Sequence, residues 1–167
     1  MSMDTVTAIC KSFDEVERTV AFLHRSEVDL RSVSTLGLAA NKPTEVVGFY
    51  LSEGTFKVWG EGQRIQEDFL ASRTRVGLFV LPGLGPVLSS GPFLQALADA
   101  VEGRLVVGSS SCVGAALICL GVPRIRVLRY ESVLKAKECL VIYHGPTEET
   151  KRVKGLLKEC LDCVFVD

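Results

Sequence analysis

The sequence predicts an α+β fold, in which a ferredoxin-like sheet built from two β-α-β units carries a long, mainly helical insertion. The first forty and the last thirty residues each alternate short β-branched runs with apolar residues at helical spacing. With 167 residues and 47% hydrophobic content, the chain is long enough to bury one core. We therefore expect a single domain over residues 1–167, with 1–40 and 139–167 as the α+β core and 41–138 as the insertion.

The amino-terminal unit begins with "TVTAIC" at residues 5–10, a run rich in β-branched residues that predicts a strand. The helix that follows opens with a capping box, because Ser12 stands three residues before Glu15. The run "SVSTLGL" at residues 32–38 then predicts a second strand. The inward face of the helix is predicted to carry Phe13, Val16, Val20 and Leu23.

The carboxyl-terminal unit repeats this order. "CLVIYHG" at residues 139–145 predicts a strand, residues 147–160 a helix with Thr147 as its N-cap, and residues 163–167 a final strand. Joined to the first unit, it predicts a four-stranded antiparallel sheet with both helices on one face.

The insertion is predicted to contain a strand at residues 46–51, a charged amphipathic helix at 63–80 and another helix at 124–138. Residues 76–98 and 105–123 carry no formal charge, and each run approaches the length of a membrane-spanning helix. Prolines and serines within these runs, and charged residues between them, favour a buried helical pair. Membrane insertion or attachment at a membrane surface is the alternative.

The segment "LPGLGPVLSSGP" at residues 81–92 raises the question of a phosphate-binding loop. It lacks the lysine of a P-loop, and its three prolines remove backbone donors that an anion would need. We therefore interpret it as a structural turn. The residues that form this turn are Pro82, Gly83, Gly85, Pro86, Gly91 and Pro92.

The net charge and the cysteines limit the partners and the cellular location that we expect for this protein. A net charge of -1 gives no broad positive field, so we expect no nucleic-acid partner. The six cysteines lie in apolar surroundings, and the first fifteen residues lack the pattern of a secretory signal. We expect a cytoplasmic protein, with membrane association as the alternative.

Cys160 and Cys163 have the C-x-x-C spacing of a redox pair. A reactive pair usually has its first cysteine at a helix amino terminus, whereas Cys160 ends its helix, so packing is the favoured role and redox sensing an alternative. No second pair of cysteines or histidines completes a zinc site, and no motif indicates a cofactor. We expect neither metal nor cofactor.

No catalytic constellation is recognisable, so we expect a protein that is not an enzyme. Tyr130, Glu131 and Glu102 are predicted to belong to an internal polar network rather than to a reaction centre. The alternative is a small-molecule-binding module or minor enzyme, with a pocket between sheet and insertion near His144, Tyr130 and Trp59. The ligand of such a pocket is not identified by the sequence.

Several short motifs recur along the second half of the chain, namely Pro82–Pro86, Gly91-Pro92, Glu102-Gly103, Gly114-Ala115, Leu120–Pro123 and Tyr130-Glu131. Together they resemble a family of small bacterial general or heat-induced stress proteins of unknown function. The resemblance implies a central glycine-zipper-type helical hairpin and a stress-related role through association with itself, a partner or a membrane surface; we expect a homo-oligomer. The chain departs from the family in its charged residues 64–75, which would be costly in hydrocarbon.

Overall fold

A computed structural model of the protein describes residues 2–38, 48–52, 55–59, 76–81, 83–103, 111–160, 162–163 and 165–167. These residues form helices and strands in the mixed order of an α+β fold, which confirms the predicted class. The strands are β1 (Met3–Cys10), β2 (Val33–Leu38), β3 (Gly48–Ser52), β4 (Thr55–Trp59), β5 (Val76–Leu81), β6 (Gly85–Ser90), β7 (Cys139–Pro146) and β8 (Phe165–Val166). The α-helices are α1 (Phe13–Arg25), α2 (Pro92–Val101), α3 (Cys112–Cys119), α4 (Arg124–Lys135) and α5 (Thr147–Glu159).

Six strands form one sheet in the order β5-β6-β2-β7-β1-β8, and every neighbouring pair is antiparallel. Strands β3 and β4 form a separate antiparallel hairpin. The pairing of β1 with β7 runs from Met3 opposite Pro146 to Cys10 opposite Cys139. Both ends of the chain therefore meet in a single sheet, as the sequence predicts.

The sheet is covered by helices on both faces. On one face, Val6 of β1 and Val141 of β7 belong to a core with the apolar residues of α1 and α5. On the other face, Ile9 of β1 and Ile142 of β7 pack with α2, α3 and α4. Because alternate residues of β1 and β7 enter opposite cores, the helices of the insertion form the second half of the hydrophobic core.

The described part of the insertion contains three helices, and it also contains four strands that the prediction of a mainly helical insertion largely left out. Residues 76–80, predicted to end a helix, lie in β5, and residues 48–52 pair with residues 55–59 in a hairpin. The run "VGLFVL" is short, apolar and followed by a Pro-Gly turn, features that suit a buried strand. Residues 63–75 lie outside the described residues. Of the two uncharged runs expected to form a helical pair, 76–98 is mostly strand up to Ser90 and becomes helical only from Pro92, whereas 105–123 contains the helix Cys112–Cys119. The helix predicted at 124–138 is present as Arg124–Lys135.

Of the two predicted N-cap residues, Ser12 is confirmed and Thr147 is not. Ser12 caps α1 by accepting a hydrogen bond from the Glu15 amide at 3.3 Å, and the Glu15 carboxylate accepts from the Lys11 amide at 2.6 Å. Thr147 is not the N-cap of α5: Pro146 holds that position and Thr147 is the first helical residue. The Thr147 amide and hydroxyl instead donate to the Ser2 carbonyl, at 3.1 and 3.2 Å, which ties the start of α5 to the start of β1.

The predicted structural turn divides into two junctions. Gly83 and Gly85 have φ of +80° and +82° where β5 turns into β6, a conformation that glycine adopts without steric cost. Pro86 lies within β6 opposite Val80, and Pro92 is the first residue of α2. Gly91, at the second junction, has φ of +78°. Pro82 lies outside the described residues.

Within the described ranges, no helix has both the length and the apolar character needed to cross a bilayer.

Candidate functional site

A polar cluster links α4 to β1 and to Asp167, which follows the edge strand β8. The Tyr130 hydroxyl donates to Asp167 Oδ2 at 3.0 Å, and the Arg126 guanidinium contacts Asp167 Oδ1 at 2.9 Å. The backbone of Asp167 exchanges two hydrogen bonds with Thr7 of β1, at 3.1 and 2.8 Å. Tyr130 and Arg126 thus hold the last strand against the sheet.

The environment of Tyr130 keeps its hydroxyl protonated. Its side chain is only 1% exposed, and this burial raises the pKa of Tyr130. The hydrogen bond from Thr7 acts in the opposite direction, and that with Asp167 raises the pKa further. The phenol is therefore a hydrogen-bond donor in a structural network, the kind of role that the sequence predicts for it.

His144 lies on the same face of the sheet, opposite Thr5 of β1. The Thr5 hydroxyl donates its single proton to the Leu120 carbonyl, and its oxygen lies 2.9 Å from His144 Nδ1. Because that proton is already committed, Nδ1 must carry the hydrogen and donate to Thr5. In the neutral imidazole this leaves Nε2 as the acceptor, and no hydrogen bond to Nε2 is found among the described residues.

The three residues predicted to line a pocket have separate surroundings. His144 bonds to Thr5, whereas Tyr130 bonds to Asp167 and Thr7. Trp59 ends β4 opposite Gly48, in the separate hairpin, and its side chain lies outside the described part of the chain. These contacts do not join the three residues around one ligand.

The cysteines form a cluster that sequence reasoning only half identified. Thr19 Oγ1 of α1 lies 3.6 Å from Cys10 Sγ, 3.7 Å from Cys160 Sγ and 3.7 Å from Cys163 Sγ. The Thr19 hydroxyl donates to the Glu15 carbonyl at 2.8 Å, so thiols that bond to it must do so as donors. Cys10 was missed because its position on the inward face of β1, next to the carboxyl-terminal loop, depends on sheet pairing.

Two of these thiols, those of Cys160 and Cys163, are held in their neutral form. Burial raises the pKa of Cys160, and the hydrogen bond with Cys10, followed by burial, raises the pKa of Cys163 well above its ordinary value. All six cysteines are free thiols. Among the described residues, no group of three histidine, cysteine or acidic side chains is arranged to hold a metal ion. The arrangement suits packing better than thiolate chemistry.

Buried hydroxyls of β2 and β6 fix the start of α2. The Ser34 hydroxyl accepts a hydrogen bond from the Phe93 amide at 2.9 Å, which satisfies a donor that Gly91 cannot cap with a side chain. Beside it, the hydroxyls of Thr35 and Ser90 lie 2.5 Å apart. The hydroxyls of this region therefore bond within the fold.

The most exposed large apolar side chains among the described residues lie on α4. Ile125 is 89% exposed and Leu128 is 72% exposed, and their i, i+3 spacing places them on one side of the helix. Three exposed basic residues flank them. We call this surface the outer face of α4, defined by Arg124, Ile125, Leu128, Arg129 and Lys135.

The outer face of α4 was not predicted. The spacing of Val127, Tyr130, Glu131 and Leu134 predicts the helix, and of these four Val127, Tyr130 and Leu134 are buried whereas Glu131 is partly exposed. The same spacing places two large aliphatic residues, Ile125 and Leu128, on the side of the helix that faces solvent.

No protein-family model, curated protein or solved structure matches the chain.

Proposed function

We propose that this chain is a non-enzymatic, stress-related protein that acts by association through the outer face of α4. The single observation that carries the proposal is the exposure of Ile125 and Leu128 on the outside of a helix whose inner face is fully packed. Large aliphatic side chains grouped on a surface are a common mark of an interaction site. By contrast, Tyr130 and the clustered thiols are engaged in internal contacts.

We also propose a ferredoxin-like assignment for the strands from the chain ends. Their order within the sheet is β2-β7-β1-β8, so each β-α-β unit is split by a strand of the other. Helices α1 and α5 contribute to the same core. This interleaving of two units is the pattern of a split β-α-β fold, and β5 and β6 extend it beyond β2.

The association proposal is tested by the state of the protein in extracts of cells that produce it. A double variant, Ile125→Ser with Leu128→Ser, removes the apolar part of the outer face and leaves the core intact. We expect wild-type protein in a complex larger than its 18.1 kDa chain or in the membrane fraction, and the variant as a soluble monomer. Identical monomeric behaviour of both proteins would refute the proposal.

Small-molecule binding at His144 is a second candidate function. It is favoured by the hydrogen bond to Thr5, which fixes Nδ1 as a donor and presents Nε2 as an acceptor. A thermal-shift screen of metabolites with wild type and His144→Phe tests it. A ligand that raises the melting temperature of wild type only would support this function, because a ligand bound to the native state stabilises it by mass action. Equal shifts in both proteins, or none, would reject it.

A further inference from the structure

The charges of α4 are arranged asymmetrically around its axis. Its single acidic residue, Glu131, accepts a hydrogen bond from the Ser111 hydroxyl at the start of α3. Arg126 contacts Asp167 at the edge of the sheet. The exposed cations Arg124, Arg129 and Lys135 border the two aliphatic side chains, so the outer face of α4 is apolar at its centre and basic at its margins.

This arrangement limits what can cover the outer face of α4. A second copy in a symmetric contact would bring the same basic margins together, at an electrostatic cost. Protein contacts of high affinity usually centre on Trp, Tyr or Arg in a pocket, whereas this convex surface presents Ile125 and Leu128. An anionic lipid surface offers negative headgroups for the margins and acyl chains for the centre, without needing a complementary shape.

We propose that the outer face of α4 docks in plane on an anionic lipid surface, with Ile125 and Leu128 inserted between headgroups. The inference rests on the proposed associative function and names its partner. Helix α4 is held from behind by the buried residues Val127, Tyr130 and Leu134, so its outer face is presented rigidly. The Arg129 guanidinium lies 3.9 Å from the centre of the Phe165 ring, which fixes one basic margin against the sheet edge.

Co-sedimentation of the full chain with vesicles tests the proposal. The vesicles contain phosphatidylcholine alone, or phosphatidylcholine with about 30% phosphatidylserine, at an ionic strength of about 0.1 M. We expect binding to the anionic vesicles only. Raising the salt to about 1 M shortens the screening length from about 10 Å to about 3 Å and should release most of the bound protein.

Two variants separate the contributions of charge and apolar contact. Arg124→Gln with Lys135→Gln should weaken binding about 25-fold, since each basic residue near the surface contributes about fivefold. Ile125→Ser with Leu128→Ser should weaken it at least about tenfold. Lys151→Gln with Lys158→Gln, which removes the same charge from exposed positions on α5, is the matched control and should change binding less than about threefold. Circular dichroism and melting curves establish that all variants fold.

These experiments distinguish failure of the lipid proposal from failure of the proposed associative function. Equal binding to neutral and anionic vesicles, an equal loss in the α5 control, or no binding at all would overturn the lipid proposal. If vesicles are not bound but the Ile125→Ser, Leu128→Ser variant still loses a soluble complex, association stands and its partner is a protein. If wild type binds no vesicle and forms no complex, both proposals fail.

Discussion

Gly91 offers a sharp test of how the insertion is attached to the sheet. Its φ of +78° and ψ of -160° lie in a region that is open essentially to glycine alone. A Cβ at this position would lie 2.1 Å from the Val33 carbonyl oxygen and 2.9 Å from the Ser34 Cα. Both atoms belong to the backbone of β2, an inner strand, so a local side-chain movement cannot relieve the clash.

The expected cost of Gly91→Ala follows from these contacts. The backbone conformation alone costs about 1–3 kcal/mol for a residue with a side chain. Moving α2 away from β2 would also break the Phe93 amide to Ser34 hydroxyl bond, worth about 1 kcal/mol. We expect a loss of about 2–4 kcal/mol in the free energy of unfolding, or about 1–2 M in the urea midpoint for a slope of about 2 kcal/mol per M.

Gly103→Ala is the matched control for Gly91→Ala. Gly103 also has a positive φ, +73°, but a Cβ there would meet nothing within 4 Å. Its substitution should cost only about 1–2 kcal/mol, the price of the left-handed conformation. Urea unfolding followed by circular dichroism measures both variants. Equal midpoints for the two would show that the close approach of Gly91 to β2 does not limit stability.

Three further predictions concern the internal polar groups. Tyr130→Phe should lower the free energy of unfolding by about 1–2 kcal/mol, measured in urea, because Asp167 loses a buried donor; an unchanged midpoint would contradict this. A thiol reagent at neutral pH should modify the exposed Cys119 first, and Cys160 and Cys163 only after unfolding, as read by mass spectrometry; early labelling of the pair would revive redox sensing. The pKa values of Tyr130, Cys160 and Cys163 are raised in the folded state, so the folded chain retains protons that the unfolded chain releases. Stability should therefore be full below about pH 8.5 and decline above it; melting temperatures that stay constant to pH 10.5 or so would refute the assignment.

The elements at the chain ends were predictable because each is specified locally. The spacing of Phe13, Val16, Val20 and Leu23 and the polar cap at Ser12 are written within one segment, and α1 matches them. Strand β5 was missed because a short apolar run has no diagnostic period, and the charged segment before it favoured a helix. The pairing of β6 with β2 joins residues about fifty positions apart, and a local sequence pattern does not predict such a pairing.

In the candidate sites, individual residues were predictable from the sequence, but their partners in distant segments were not. The sequence indicates that Tyr130 belongs to a polar network, but its partner Asp167 is 37 positions away and is brought close by the pairing of β8 with β1. Likewise, the C-x-x-C spacing drew attention to Cys160 and Cys163, whereas Cys10 joins them only through the sheet. Contacts between distant segments are determined by topology, and residue types alone do not specify them.

The central position of β7 has a consequence for how the protein is made. The neighbours of β1 in the sheet are β7 and β8, both encoded near the end of the chain. During translation β1 therefore lacks both neighbouring strands until the chain has been extended to Cys139, the residue that pairs with Cys10. Val6, Ala8 and Ile9 are buried in the folded chain and lack these neighbouring strands for that interval, so we expect the nascent polypeptide to be bound by ribosome-associated chaperones.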